Sequence, residues 1–380
     1  MFQNSQLAQN YQQIQQRLKS TSDGGSNKIN ASTANNTAAG KGDEEEHSAP
    51  QTPPAPTPAM YWSRVTASGQ IPPGLRSHSM TVINDKIYVF GGFNSEGTYN
   101  DTYMFDPDTI FWLKLETYGE CPPPLRAHSA TAVEHYLFVF GGGSNKDYFN
   151  DLYILDTESL IWSKPQQMGD IPCRRRAHTS FYHNGFFYVH GGGDGTKALS
   201  DLYQSNPQQP RAVWKRVNMH GQLPPSRGYH TSTLVRDKLL VYGGANGTTS
   251  YEDCHVLDLL TYEWRQARIP RSDKRLAHSS VLVGSYLYVI GGHTGASYSN
   301  DVMPLNLVNM QWEEKTIYGK KPSPRAYHSC VLFDSRVFMF GGFDHRTTFA
   351  ELYILELSGY AYLPQVTDFD IELDTGIQSN

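Results

Sequence analysis

Six histidines of this 380-residue chain stand in one register: His78, His128, His178, His230, His278 and His328. Each lies thirteen residues before a glycine pair: Gly91-Gly92, Gly141-Gly142, Gly191-Gly192, Gly243-Gly244, Gly291-Gly292 and Gly341-Gly342. Nine residues after each second glycine comes an acid: Asp101, Asp151, Asp201, Asp253, Asp301 and Glu351. An arginine precedes every histidine by two or three residues, as Arg76, Arg126, Arg176, Arg227, Arg275 and Arg325. So many imidazoles invite a metal reading. A metal ion needs three or four ligands within about 2.1 Å of one point. One histidine per repeat, about fifty residues from the next, is not a ligand-cluster spacing. The expected role is structural, with histidine and arginine tying the connecting chain to the strands. The acids are expected to accept backbone hydrogen bonds at turns. Cys121, Cys173, Cys254 and Cys330 show no CxxC spacing, so they form neither a disulfide framework nor a metal cluster. No metal and no cofactor is expected.

The runs between these marks show what must position them. In 125–164, LRAHSATAVEHYLFVFGGGSNKDYFNDLYILDTESLIWSK, four short β-branched, aromatic and aliphatic runs follow one another. A turn at Glu134 divides the first two, and Gly141-Gly142 ends the second with the sharp exit that positive φ allows. The turn 156–159 leads into a fourth run around Trp162. All six tryptophans are periodic: Trp62, Trp112, Trp162, Trp214, Trp264 and Trp312. Each unit leaves a greasy sheet face for a neighbour of its own kind to cover. The tryptophans read as wedges between units.

A hydrophobic run into Gly-Gly, followed by a spaced aromatic and a tryptophan, resembles the kelch repeat. The resemblance covers about Met60 to Tyr362. Its period near fifty, with four strands per unit, implies an all-β, six-bladed kelch β-propeller. Blade three departs most, with His190 before its glycines and QSNPQQPRAV (204–213) in place of a short third turn. The fold begins on a strand around Trp62 and ends after the third strand of blade six. The Trp62 strand is therefore expected to complete that blade and remove two exposed edges. Tyr362, in GYAYLPQV, is the rival, although Pro364 suits a paired strand poorly.

Residues 1–59 are rich in Gln, Asn, Ser, Thr and Ala, then acidic at 43–46 and proline-rich. They are expected to be disordered, because they bury too little apolar area to offset chain entropy. Leu7, Tyr11, Ile14 and Leu18 share a helical face there, as a frayed helix or a partner-induced one. The acidic stretch 363–380 is expected to hang outside the ring. A net charge of −5 gives no basic footprint for nucleic acid. No secretory leader or membrane-spanning run is apparent, so the expected location is cytoplasmic and the sequons at Asn30, Asn35 and Asn246 are unused.

The first and third turns are tight, whereas the second connections are long and the blade-to-blade links are proline-rich. Examples of the links are GQIPPGLR (69–76) and GECPPPLR (119–126). Strand alternation puts the long connections and the links on one face, which is the candidate binding face. Two residues after each second glycine stand Asn94, Ser144, Asp194, Asn246, Thr294 and Asp344. They serve either loop turns or a polar ring at the channel mouth, or both. Tyr229, His293, Tyr327, His345 and Arg346 break the repeat near that mouth and are candidate partner contacts.

The resemblance implies a non-enzymatic protein-binding scaffold or adaptor, without a BTB domain. Fungal cell-polarity and Ras-pathway regulators, Rab effectors and the leucine-zipper-like regulator are the similar groups. The implied partner is a protein: a peptide segment, a small GTPase or a cytoskeletal component, with no membrane insertion. The alternative is a propeller enzyme of sugar-epimerase or oxidase type. The Tyr, His and Tyr–Cys constellation of kelch-type copper oxidases and the E-x-x-x-D-x-x-x-H motif of iron-dependent specifier proteins are not evident.

Overall fold

The computed structural model describes residues 59–207, 210–270, 273–362, 369 and 371. The amphipathic stretch 7–18 and the tail before Ala59 lie outside the described residues. Every repeat forms a sheet of antiparallel strands in chain order, except that the outer strand of blade six comes from the start of the propeller. Blade two shows why. Ser129–Val133 and Tyr136–Phe140 pair across a tight turn in which Glu134 takes φ 54°. Leu152–Asp156 returns beside them, and Ile161–Ser163 forms the outer strand. Gly142 sits at φ 89°, and a Cβ there would lie 2.7 Å from His128 Cβ. Both conformation and space demand glycine.

The ring closes through blade six. Met60–Val65 pairs antiparallel with Leu352–Glu356, Trp62 opposite Leu355, as the Trp62 alternative required. Tyr362 falls instead in a short helix, Gly359–Tyr362. In five blades a piece of the preceding link adds a fifth strand, parallel to the outer one, as Ile317–Gly319 does beside Met60–Val65. Blade three keeps its place despite its sequence. Its central strands lengthen to Phe186–Gly193 and Ala198–Asn206, with a register shift between His190 and Gly192.

The tryptophans are wedges. Trp162 of blade two meets Phe90 of blade one at 5.2 Å, Trp112 meets Phe340 at 5.2 Å, and Trp214 meets Phe140 at 5.0 Å. Trp162 is 2% exposed. Trp162→Ala is therefore expected to cost about 3–5 kcal/mol, the range for truncating a buried large aromatic. The denaturation midpoint measures this, and an unchanged midpoint would remove the wedge role.

Two expectations are corrected here. The end of the chain does not hang clear of the ring at Phe369 and Ile371, which pack among residues of blades four and five. The acids of the third strands do not serve turns. Asp201, Asp253 and Glu351 receive buried guanidinium groups from Arg175 (2.6 Å), Arg227 (2.6 Å) and Arg325 (2.8 Å). Asp101 and Asp151 pair with Lys114 and Lys164 at 2.8 and 2.9 Å. A carboxylate opposite a desolvated cation gains more than one facing water-exposed amides. Burial works against the charge of Asp253, but bonds from Arg227 and His255 hold it well below the usual carboxylate range.

Candidate functional site

The arginines before the histidines divide into two sets, a distinction hidden by treating them as one. Three residues before the histidine stand Leu75, Leu125, Arg175, Arg227, Arg275 and Arg325; two before it stand Arg76, Arg126, Arg176, Gly228, Leu276 and Ala326. The first set points inward. Arg175, Arg227, Arg275 and Arg325 are 0–1% exposed. Each also donates to the carbonyl of the first glycine of its blade's pair, at 3.0, 2.8, 3.2 and 3.1 Å. Arg227, Arg275 and Arg325 are the expected ties between link and blade, and in blade three Arg175 holds that place instead of the expected Arg176.

The second set faces the mouth. Each member forms a one-residue bridge with the residue after the glycine pair: Arg76 with Phe93, Arg126 with Gly143, Arg176 with Gly193. Arg76 lies over Phe93 at 4.2 Å and over Phe343 of blade six at 3.8 Å. Arg126 lies over Phe93 at 4.3 Å, and Arg176 over Tyr148 at 4.7 Å. Aromatic faces hold these cations without neutralising them. None of the three has an ion-pair partner among the described residues, and Arg76 Nε is buried without a hydrogen bond. Burial, together with the charge of Arg126, pulls the Arg76 guanidinium below its usual pKa; burial and Arg176 do the same to Arg126. The structural role expected of all six arginines does not fit these three, which lie on aromatic faces rather than on carboxylates. Their signal was the one-residue offset from Arg175, Arg227, Arg275 and Arg325.

Beneath the arginines the six blades are joined by a closed ring of backbone hydrogen bonds. Ala127 N–H donates to the Ser77 carbonyl (2.8 Å), Ala177 to Ala127 (2.7 Å) and Tyr229 to Ala177 (2.9 Å). Ala277 then donates to Tyr229 (2.8 Å), Tyr327 to Ala277 (2.8 Å) and Ser77 to Tyr327 (2.9 Å). All six residues take positive φ, between 50° and 59°. Tyr229 and Tyr327 meet edge to face across this ring at 5.6 Å and narrow the axis. Burial pushes the Tyr327 hydroxyl up to about 12, so it is a neutral donor at physiological pH.

The periodic histidines lie one step deeper, 5–8% exposed, and all six line a cavity of about 160 Å³ on the axis. His128 Nε2 is 2.9 Å from Ser79 Oγ of the preceding blade, His178 Nε2 is 2.9 Å from Ser129 Oγ, and His278 Nε2 is 2.8 Å from Thr231 Oγ1. Each of these three imidazoles thus bridges two blades, whereas neither ring nitrogen of His78 has a hydrogen-bond partner among the described residues. Burial holds His78, His128, His278 and His328 down at about 3.

A cleft of about 610 Å³ opens above Tyr229 and Tyr327 on the loop face. Tyr148, Arg176, Lys197, Asn246, Thr248, His293 and Tyr298 belong to its walls, and no carboxylate does. Of the residues singled out from the sequence, the structure brings Tyr229, Asn246, His293 and Tyr327 to this cleft. Burial lowers His293 from the usual histidine value. His345 and Arg346 are exposed on the blade-six loop, off the cleft. The six polar loop positions serve turns. Asn94 Oδ1 accepts from Glu96 N–H (2.8 Å), Ser144 Oγ from Asp147 (3.3 Å), and Asp194 Oδ1 from Lys197 (2.9 Å). Asn246, Thr294 and Asp344 accept from Thr249 (2.8 Å), Ser297 (3.1 Å) and Thr347 (2.7 Å) in the same way.

No helix among the described residues is long and apolar enough to cross a membrane, and no group of three metal-ligating side chains converges among them. The chain matches the family described as the KLHDC2/KLHL20/DRC7 Kelch-repeats domain over residues 55–244 and 208–367. Among curated relatives, it is 41% identical over 63 residues to Kelch repeat-containing protein kel-10 of Caenorhabditis elegans, covering 16% of this chain and 11% of that protein. It is 28% identical over 157 residues to Acyl-CoA-binding domain-containing protein 4 of Arabidopsis thaliana, covering 40% and 23%. It is 38% identical over 55 residues to Tip elongation aberrant protein 3 of Schizosaccharomyces pombe, covering 14% and 5%. The matches thus span less than a quarter of the length of each of these relatives.

Proposed function

The chain belongs to the kelch-repeat family, and on that premise we propose that it is a non-enzymatic protein-binding scaffold whose mouth grips an acidic segment of a partner protein. The observation carrying this reading is the trio Arg76, Arg126 and Arg176: three guanidinium groups fixed by aromatic faces, facing one opening, without a carboxylate partner among the described residues. Mutual repulsion and partial burial make such a cluster costly until an anion arrives. The cleft beside it offers Lys197, the tyrosine and threonine hydroxyls and no acid. Tyr229 and Tyr327 supply the aromatic anchors on which recognition energy concentrates. Asn94, Ser144, Asp194, Thr294 and Asp344 hold the rim loops in shape, and His345 and Arg346 extend the rim on blade six. The periodic histidines are almost wholly buried and stand one per blade around the axial cavity, a repeated arrangement of structural character, which favours binding over an epimerase or oxidase chemistry. The fission-yeast relative is named for tip elongation, and a place in cell polarity, with a small GTPase or a cytoskeletal component as the partner, belongs to the same proposal.

Arrays of Asp/Glu-rich, neutral and Lys-rich peptides test the reading. The protein is expected to select the acidic set, with binding that weakens as salt rises. The variant R76A/R126A/R176A is expected to lose roughly 100-fold in affinity, at about 1 kcal/mol per cation, with native circular dichroism retained. Equal selection of neutral peptides, or full binding by the triple variant, would sink it.

A further inference from the structure

Blade five is built short. It has four described strands: Ser279–Val283, Tyr286–Ile290, Val302–Asn306 and the two-residue Gln311–Trp312. Its outer ladder holds only the pairs Leu305 with Trp312 and Asn306 with Gln311, and no fifth strand from the preceding link joins it among the described residues. Pro304 occupies its third strand. Its wedge, Trp312, is partly exposed, whereas the other five tryptophans are 0–2% exposed.

The chain's own end reaches both borders of this blade. At the junction of blades five and six, Ala361 is fully buried beside Met60, Trp62, Val283 and Tyr286. Its carbonyl accepts from the Tyr288 hydroxyl at 2.9 Å. At the junction of blades four and five, Ile371 is 8% exposed in a cluster with Val235, Leu240, Leu305, Leu307 and Met310. Phe369 packs against the same cluster, as does Trp312. Phe369 and Ile371 are two residues apart and meet one apolar surface, as alternate side chains of an extended chain do. The sequence around them, Asp368-Phe369-Asp370-Ile371-Glu372-Leu373-Asp374, alternates acid and hydrophobe without a break. That period of two is a half-buried strand pattern.

We propose that the junction of blades four and five is a docking slot for an extended segment alternating acidic and apolar residues, and that its occupant is this chain's own stretch 368–374. The slot lies where the incomplete outer edge of blade five leaves Trp312 uncovered. Phe369 and Ile371 supply the apolar cover that a fifth strand and a full outer ladder supply to the other blades. The C-terminal stretch is thereby a ligand in cis, and the slot has its own specificity, independent of the mouth.

The test uses the chain ending at Tyr362 together with a synthetic peptide of residues 363–380. The shortened protein is expected to melt about 5–10 °C below the full chain. It should bind the peptide saturably and regain the lost stability. The peptide carrying F369A and I371A should bind at least tenfold more weakly, and the full chain, its slot filled, should bind neither. An unaltered melting temperature, or no binding of the peptide by the shortened protein, overturns the proposal. Should the shortened chain fail to fold, F369A/I371A in the full chain replaces it. Hydrogen exchange of that variant is then expected to lose protection at 286–290 and keep it at 136–140. Uniform or unchanged protection in that variant overturns the proposal. A dimer of the full chain that dissociates when residues 363–380 are removed would place the segment in a second copy and overturn the assignment in cis.

Discussion

Acidification from pH 7 to pH 4.5 is expected to unfold this protein cooperatively, above the range in which Asp253 titrates. Eight histidines are buried among the described residues: the periodic six, His190 and His255. Burial holds His78, His128, His190, His278 and His328 at about 3, and drives His178 and His230 well below the usual value. An unfolded chain takes up these protons near pH 6.5. Between about 6.5 and 3 the unfolded state therefore binds more protons than the folded state. Stability is full above 6.5 and falls as pH drops through that window, by about 1.4 kcal/mol per pH unit for each histidine. Domains hold only about 5–15 kcal/mol in total, so several histidines acting together exhaust it within one to two units. Asp253 acts in a separate, lower window, because its depressed pKa conserves stability until pH falls below about 4. Tryptophan fluorescence against pH, with proton uptake measured calorimetrically on an acid jump, checks the expectation. A native spectrum at pH 4.5, or uptake of fewer than about two protons, would show that the histidine ring is not what acid attacks.

Removal of the first strand is expected to be equally severe. A chain starting at Met60 should melt like the full chain, whereas one starting at Ala67 should melt far lower or aggregate. Met60–Val65 makes five pairs with Leu352–Glu356 and three with Ile317–Gly319. Met60 is 0% and Trp62 1% exposed. Losing both side chains forfeits about 5–10 kcal/mol, comparable to the whole stability of a domain. It also leaves the unpaired edge of Leu352–Glu356 as a template for another chain. Thermal melts and gel filtration of the two truncations decide the matter. Identical behaviour would mean that the ring is held shut without Trp62.

Much of the fold was legible because its signals are local and repeated. Gly141-Gly142 must leave a strand at positive φ, and alternating runs such as Tyr136–Phe140 must have a buried face wherever they sit. Even closure by Met60–Val65 followed from a tryptophan standing before the first full unit. The alternation around Phe369 and Ile371 was equally visible. The apolar surface of blades four and five that Phe369 and Ile371 meet comes together only in the fold.

By itself, then, the sequence determined the number of blades, the strands within them, the wedge role of the tryptophans and the strand that closes the ring. Each depends on residue types at fixed short spacings. Tertiary structure alone decided which charges face which way. Arg175 and Arg176 are neighbours in an extended link, where successive side chains point to opposite sides, so one is buried on Asp201 and the other lies at the mouth over Tyr148. The aromatic faces that hold Arg76 and Arg126 come partly from other blades, and Phe343 is more than 250 residues from Arg76. The hydrogen-bond ring through Ser77 and Tyr327 joins the two ends of the propeller. No spacing along the chain encodes such contacts, because they arise only when six sheets pack around one axis and bring distant loops to a single opening.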